Sequence, residues 1–341
     1  MKNCIVRILL LTGLCCCVLQ AHAQGLGSDL PTLSNLAFGW SSASGGNPAV
    51  DAMSVYAPNM LCVTQAGYRA AGEGFFCRLD FGDMRVTTNQ NTALAAVGAG
   101  AVRLAHFRYA SNKAHDLPFV NAVSQALGGV DASATLDGET LELSYAQPIG
   151  SPSTILGVSY VPIDSSNSKL IAPETGSISD GRYRGTGGGR VGVLQTLPHG
   201  WRIGANYSYL AGSATATFLA PTNPPSYMTQ TDQYLTRKLD LGLAQQTTPR
   251  LQCYAAYSKT VASGGTLAAY HGEITAFGIR YQISPALMTQ ITASETNHVM
   301  GLFWKTRYGQ FSILYAHRPI PNGEDYLGKG KGLAGVIDIA F

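Results

Sequence analysis

Residues 332–341, GLAGVIDIAF, carry the chain to an aromatic residue in the middle of an apolar, β-prone run. With period two, one parity holds Leu333, Gly335, Ile337, Ile339 and Phe341, and the other Ala334, Val336, Asp338 and Ala340. That is a strand with one strongly apolar face. Such a strand sits either in the middle of a soluble sheet or against lipid, and the remainder of the chain decides between the two.

Only 13% of the 341 residues are charged and the formal net charge is +3, against about 25% charged residues in ordinary soluble domains. A water-exposed surface of this size cannot be covered with so few charges. After residue 24 no segment approaches 18 consecutive apolar residues, which excludes a transmembrane helix. Closed β-barrels are the other structure that satisfies every backbone group in hydrocarbon. The composition therefore points to an all-β chain whose wall faces lipid.

The first 24 residues, MKNCIVRILLLTGLCCCVLQAHAQ, read as an export signal: Lys2 and Arg7, an apolar stretch of roughly a dozen residues, then Ala21-His22-Ala23 as a small-x-small cleavage site. Removing them leaves Cys62, Cys77 and Cys253, so no disulfide framework is expected. Localisation to the outer membrane of a Gram-negative cell follows from the signal and the barrel together.

Alternation along the chain supports this. WRIGANYSY sets Trp201, Ile203, Ala205, Tyr207 and Tyr209 against Arg202, Gly204, Asn206 and Ser208. EITAFGIRYQI sets Phe277, Ile279, Tyr281 and Ile283 against Ala276, Gly278, Arg280 and Gln282, and LTRKLDLGLA sets Leu239, Leu241 and Leu243 against Lys238, Asp240 and Gly242. Lipid outside and water inside is the natural assignment. About fourteen strands are predicted, near 60–70, 74–85, 100–112, 138–148, 153–163, 188–197, 200–215, 234–246, 250–262, 272–283, 286–297, 299–307, 309–318 and 332–341. Tight turns such as TLPHGW, TTPRL and ISPAL alternate with longer polar connections at 112–137, 164–187, 216–233, 262–271 and 319–331. If the last strand ends in the periplasm, the tight turns lie there and the long connections face outward. The stretch VTTNQNTALAAVGA, residues 86–99, has no place in this scheme.

Residues 25–58 differ in kind, being rich in Gly, Ser and Asn, without sustained alternation, and carrying Asn47-Pro48-Ala49 about ten residues before the first predicted strand. On these residues and the strand number the chain resembles the outer-membrane transporter family for long-chain fatty acids and aromatic hydrocarbons. Members combine a fourteen-stranded barrel with an N-terminal plug that contains an Asn-Pro-Ala motif. The resemblance implies a plug at 25–58, a barrel at 59–341 and passive uptake of a hydrophobic small molecule.

No enzyme chemistry is expected. The seven histidines show no ligand spacing, no Gly-x-Ser-x-Gly elbow is present, and neither a metal, a cofactor nor a nucleic acid partner is indicated. GRYRGTGGGR, residues 181–190, reads as a glycine-rich outer loop in which Arg182, Arg184 and Arg190 face anionic lipopolysaccharide. The lumen-facing set is Arg78, Asp80, Glu142, Arg202, Lys238, Asp240, Arg280 and Asp338. Charges inside a small barrel either pair and seal it or line a polar path. Both readings stay open, so the transporter stands beside a plugged structural or interaction barrel and a general diffusion porin. Gly335, Ile337, Ile339 and Phe341 form the end that the barrel-assembly machinery is expected to recognise.

Overall fold

The computed structural model describes residues 70–97, 100–126, 128–172, 176–220, 226–264, 267–294, 298–306, 309–318 and 330–340. Fourteen antiparallel strands close into one barrel: β1 (Ala70–Phe81), β2 (Met84–Val97), β3 (Gly100–Ser111), β4 (Ser133–Ile149), β5 (Ser151–Ala172), β6 (Gly176–Thr196), β7 (Trp201–Ala220), β8 (Ser226–Thr248), β9 (Leu251–Gly264), β10 (Leu267–Ser284), β11 (Leu287–Ser294), β12 (His298–Lys305), β13 (Gly309–Arg318) and β14 (Gly330–Ala340). Each strand pairs with its sequence neighbours, and β1 meets β14 in continuous register from Ala71↔Ala340 to Phe81↔Gly330. No strand edge is left to lipid. Among the described residues no helix is long and apolar enough to cross a membrane.

The outer wall carries the apolar parity that the alternation predicts. Ile203, Tyr207 and Tyr209 on β7, Leu239, Leu241 and Leu243 on β8, and Phe277, Ile279, Tyr281 and Ile283 on β10 are all exposed. So are Leu302 and Trp304 on β12, Phe311, Ile313 and Tyr315 on β13, and Leu333 and Ile337 on β14. An apolar belt of this kind would be untenable in water and is what a membrane-spanning barrel requires. The opposite parity, Asn206, Ser208, Lys238, Asp240, Ala276 and Arg280, is buried inside.

Several connections expected from the sequence are strand. The tight first turn falls at Gly82-Asp83, with Gly82 at φ +56°, rather than near residue 71, so β1 and β2 take the places predicted for 60–70 and 74–85. Residues 86–97 thereby find their role as most of β2, and 98 and 99 lie outside the described residues. The alternation of β2 is invisible because both faces of its middle are polar: Thr88, Gln90 and Thr92 point inward, Thr87, Asn89 and Asn91 outward. For the same reason 164–187 and 216–233 are largely strand, since β5 to β8 run 20 to 23 residues and need apolar outer residues only where they cross lipid. The proposed signal at 1–24, the plug at 25–58 with Asn47, Pro48 and Ala49, Cys62 and the terminal Phe341 lie outside the described residues.

The connection between β3 and β4 contains the one α-helix among the described residues, α1 (Pro118–Ala126). Proline opens it and Gly128 and Gly129 close it at φ +86° and +90°, with the Gly129 N–H donating to the Ser124 carbonyl at 2.9 Å; this is the usual asymmetry of helix start and stop. Leu117, Val120 and Val123 share a face and are buried. They pack on inward residues of β1 to β6, among them Phe81, Met84, Val86, Phe107, Leu136, Leu170 and Ile178. The helix thus roofs one side of the barrel end opposite the turns at Gly150, Pro198–Gly200 and Pro249-Arg250.

Candidate functional site

The inside of the barrel has two zones, built from alternate residues of the same strands. At the roofed end, on β1 to β6, an apolar cluster packs against α1. Asp83, in the β1–β2 turn, ties the roof down: its Oδ2 accepts from the His115 N–H at 2.7 Å and its Oδ1 from the Asp116 N–H at 2.8 Å. Ala114 and Ala134 exchange backbone hydrogen bonds at 2.9 and 2.8 Å. A Cβ on Gly82 would lie 2.5 Å from the Asp116 carbonyl oxygen, so glycine there is what lets the roof approach the turn.

Deeper in, the inner wall becomes polar. Arg103, Ser144, Ser159, Arg190, Ser208, Lys238 and Thr260 are consecutive partners across β3 to β9 and form one band running round half the circumference. Its charges are compensated from the adjacent rows. Glu142 lies between two arginines, Oε1 at 3.9 Å from Arg103 Nη1 and Oε2 at 3.4 Å from Arg190 Nη1, and Oε1 also accepts from Ser144 Oγ at 3.0 Å. Asp240 accepts from Ser258 Oγ at 2.7 Å and Asn206 Nδ2 at 3.4 Å, with Lys238 Nζ 3.9 Å away. Asp164 accepts from Thr140 at 3.2 Å. On the far wall Arg280 donates through Nε and Nη2 to Gln290 Oε1 at 3.2 and 3.0 Å, and its guanidinium lies 5.9 Å above the centre of the Phe303 ring. Gln290 continues to Thr292, which bonds the Tyr254 hydroxyl. Buried charges of this kind persist only when paired and hydrogen-bonded.

The predicted lumen set divides on this geometry. Glu142, Lys238, Asp240 and Arg280 are buried on the inner parity, and Arg202 shares that parity with Gly204 and Asn206 at the edge of the barrel. Asp338 lies in β14, paired with Glu73 and Gln310. Arg78 and Asp80 are a correction: they point outward, joined to each other at 2.9 Å, with Arg85 3.6 Å from Asp80. The inner parity of β1 is instead that of Phe81, which the apolar cluster beneath α1 requires. Arg190, read from sequence as a rim residue, is buried beside Glu142, whereas Arg182 and Arg184 are exposed on the outer face. Sequence reasoning missed Arg103, Asp164 and the roof. The signals were there: Val102 and Leu104 flank Arg103, Val191 and Val193 follow Arg190, and a proline-opened, glycine-closed segment carries Val120 and Val123.

No family model and no curated sequence matches the chain. Solved structures do. The Ralstonia pickettii toluene transporter TbuX matches with a TM-score of 0.54 at 13% identity, over 91% of this chain and 98% of that one. The Pseudomonas putida toluene transporter TodX gives 0.50 at 12% over 88% and 94%, and a Pseudomonas aeruginosa FadL homologue 0.50 at 11% over 88% and 93%. This chain has the fold of those transport barrels. At such identities the likeness is one of architecture, and the group is the one that the sequence resembles through Asn47, Pro48 and Ala49 and its strand number.

Proposed function

We propose that the protein resides in the outer membrane and admits a hydrophobic small molecule passively through its barrel. The observation that carries this is the apolar inner zone beneath α1, which a general diffusion porin with a wetted lumen would not build. The solved barrels of the same architecture that carry the name toluene transporter support it. The short-turn end faces the periplasm and the roofed end the exterior, so a solute that moves α1 aside leaves water for Phe107, Leu117 and Leu136 before it meets the polar band. In this reading the segment at 25–58 plugs the lumen, and the Gly335, Ile337, Ile339 and Phe341 face of the last strand guides assembly. The chain does no chemistry on its cargo.

The plugged structural barrel is the second reading. The Arg103–Glu142–Arg190 cluster favours it, because a compensated ion cluster also seals. Entry assays separate the two. Cells expressing the protein should accumulate labelled toluene several-fold faster than cells without it, and take up a disaccharide no faster. Toluene entry at the background rate would leave the sealed barrel, and accelerated disaccharide entry would make the protein a general pore.

A further inference from the structure

The outer wall holds a second feature. Across β2 to β5 two adjacent outward rows are polar, Asn89–Arg108–Glu139–Ser165 and Thr87–Ala110–Asp137–Asn167. They line an open hollow of about 330 Å³ on the outer face, at the small end of ligand-sized sites. It exists because Ala110 is short; Gly138, on the inner parity between Asp137 and Glu139, leaves room instead for the buried Tyr109 ring on the other side of the wall. Its polar groups are held in place: Arg108 Nε donates to Glu139 Oε2 at 3.1 Å and to His106 Nε2 at 3.2 Å, and Asn167 Nδ2 donates to Asp137 Oδ2 at 2.8 Å. Both Arg108 bonds come from Nε, so neither engages the forked end of the guanidinium.

Two rows nearer the barrel's middle the same strands present Leu104, Leu143 and Tyr160, all exposed. The polar hollow therefore begins where the lipid-facing wall ends. A ligand seated there can lay acyl chains on that wall and a headgroup in the hollow. Two carboxylates beside amides and hydroxyls suit a polyhydroxylated headgroup, whose O–H groups donate to Asp137 and Glu139; a crowded phosphodiester would be repelled by the same carboxylates. Arg108 adds one position for an acidic substituent.

We infer that this hollow is a binding site for the saccharide headgroup of an outer-leaflet glycolipid. The inference rests on the orientation proposed above, but not on what the lumen transports. It is tested with the purified full-length protein in detergent, offered rough lipopolysaccharide, phosphatidylglycerol, or the lipid-free core oligosaccharide, and read by native mass spectrometry. The variant Ala110→Trp fills the hollow with a side chain that membrane interfaces tolerate, and heat-modifiable gel mobility reports that it is folded. The expected result is lipopolysaccharide retained by the native protein and at least tenfold less by Ala110→Trp, with little retention of the other two probes. Equal lipopolysaccharide retention by the folded variant would overturn the site. Equal retention of phosphatidylglycerol would overturn the saccharide headgroup, and equal binding of the free oligosaccharide would overturn the lipid.

Discussion

Replacing Glu142 with alanine should destabilise the folded barrel by about 3–5 kcal/mol, the usual cost of removing one partner from a buried ion cluster. Glu142 is the carboxylate between Arg103 and Arg190, all three nearly inaccessible, and its loss leaves two buried cations on the same stretch of inner wall without the carboxylate they share. The measurement is the urea midpoint of the heat-modifiable band. Glu142→Gln should fall less far, because an amide still accepts from Ser144. A change under about 1 kcal/mol for Glu142→Ala, the range of exposed pairs, would mean that water screens this part of the lumen and that the cluster holds nothing together.

The roof gives the other large effect. Leu117 is fully buried beneath α1, and Leu117→Asp replaces about 1.5–3 kcal/mol of apolar burial with a charge that has no partner there. Asp83 and Asp116 stand close by, so the new carboxylate is also repelled. The fourteen-strand ladder does not depend on this contact, and the expected outcome is a folded barrel whose roof has come away. Single-channel conductance in planar bilayers should rise several-fold, and protease should gain access between residues 112 and 132. A folded variant with unchanged conductance would show that the helix does not restrict the passage.

The strands that cross lipid were legible because lipid imposes period two on one parity: Ile203, Tyr207 and Tyr209, or Phe277, Ile279 and Tyr281, can be read without any structure. That demand ends at the edge of the belt. Above it the outer faces of β2 and of β5 to β8 carry polar residues as well, and Thr87–Thr92 or Ser165–Ser168 looks like loop although it is strand. The face of β1 was misjudged on local grounds. Phe75, Cys77 and Leu79 make one parity apolar, but α1, forty residues away, claims apolar partners such as Phe81 on the inner side, and a pattern read along one strand cannot contain that request. Lys238, Asp240 and Arg280 were legible as inward charges because their neighbours are unmistakably lipid-facing. Their partners Ser258, Asn206 and Gln290 come from other strands and follow only from register.

That a hydrophobic solute travels inside the barrel, and does not merely dissolve in the membrane around it, is tested most directly by photolabelling. A photoreactive monoaromatic probe is offered to the protein in membranes, and the modified residues are located by mass spectrometry with and without excess toluene. Toluene-competed labels on the inner residues Phe107, Leu117, Val120 and Leu136 are the predicted result. Labels confined to outer residues such as Leu241, Phe277 and Ile313, and unaffected by toluene, would contradict it.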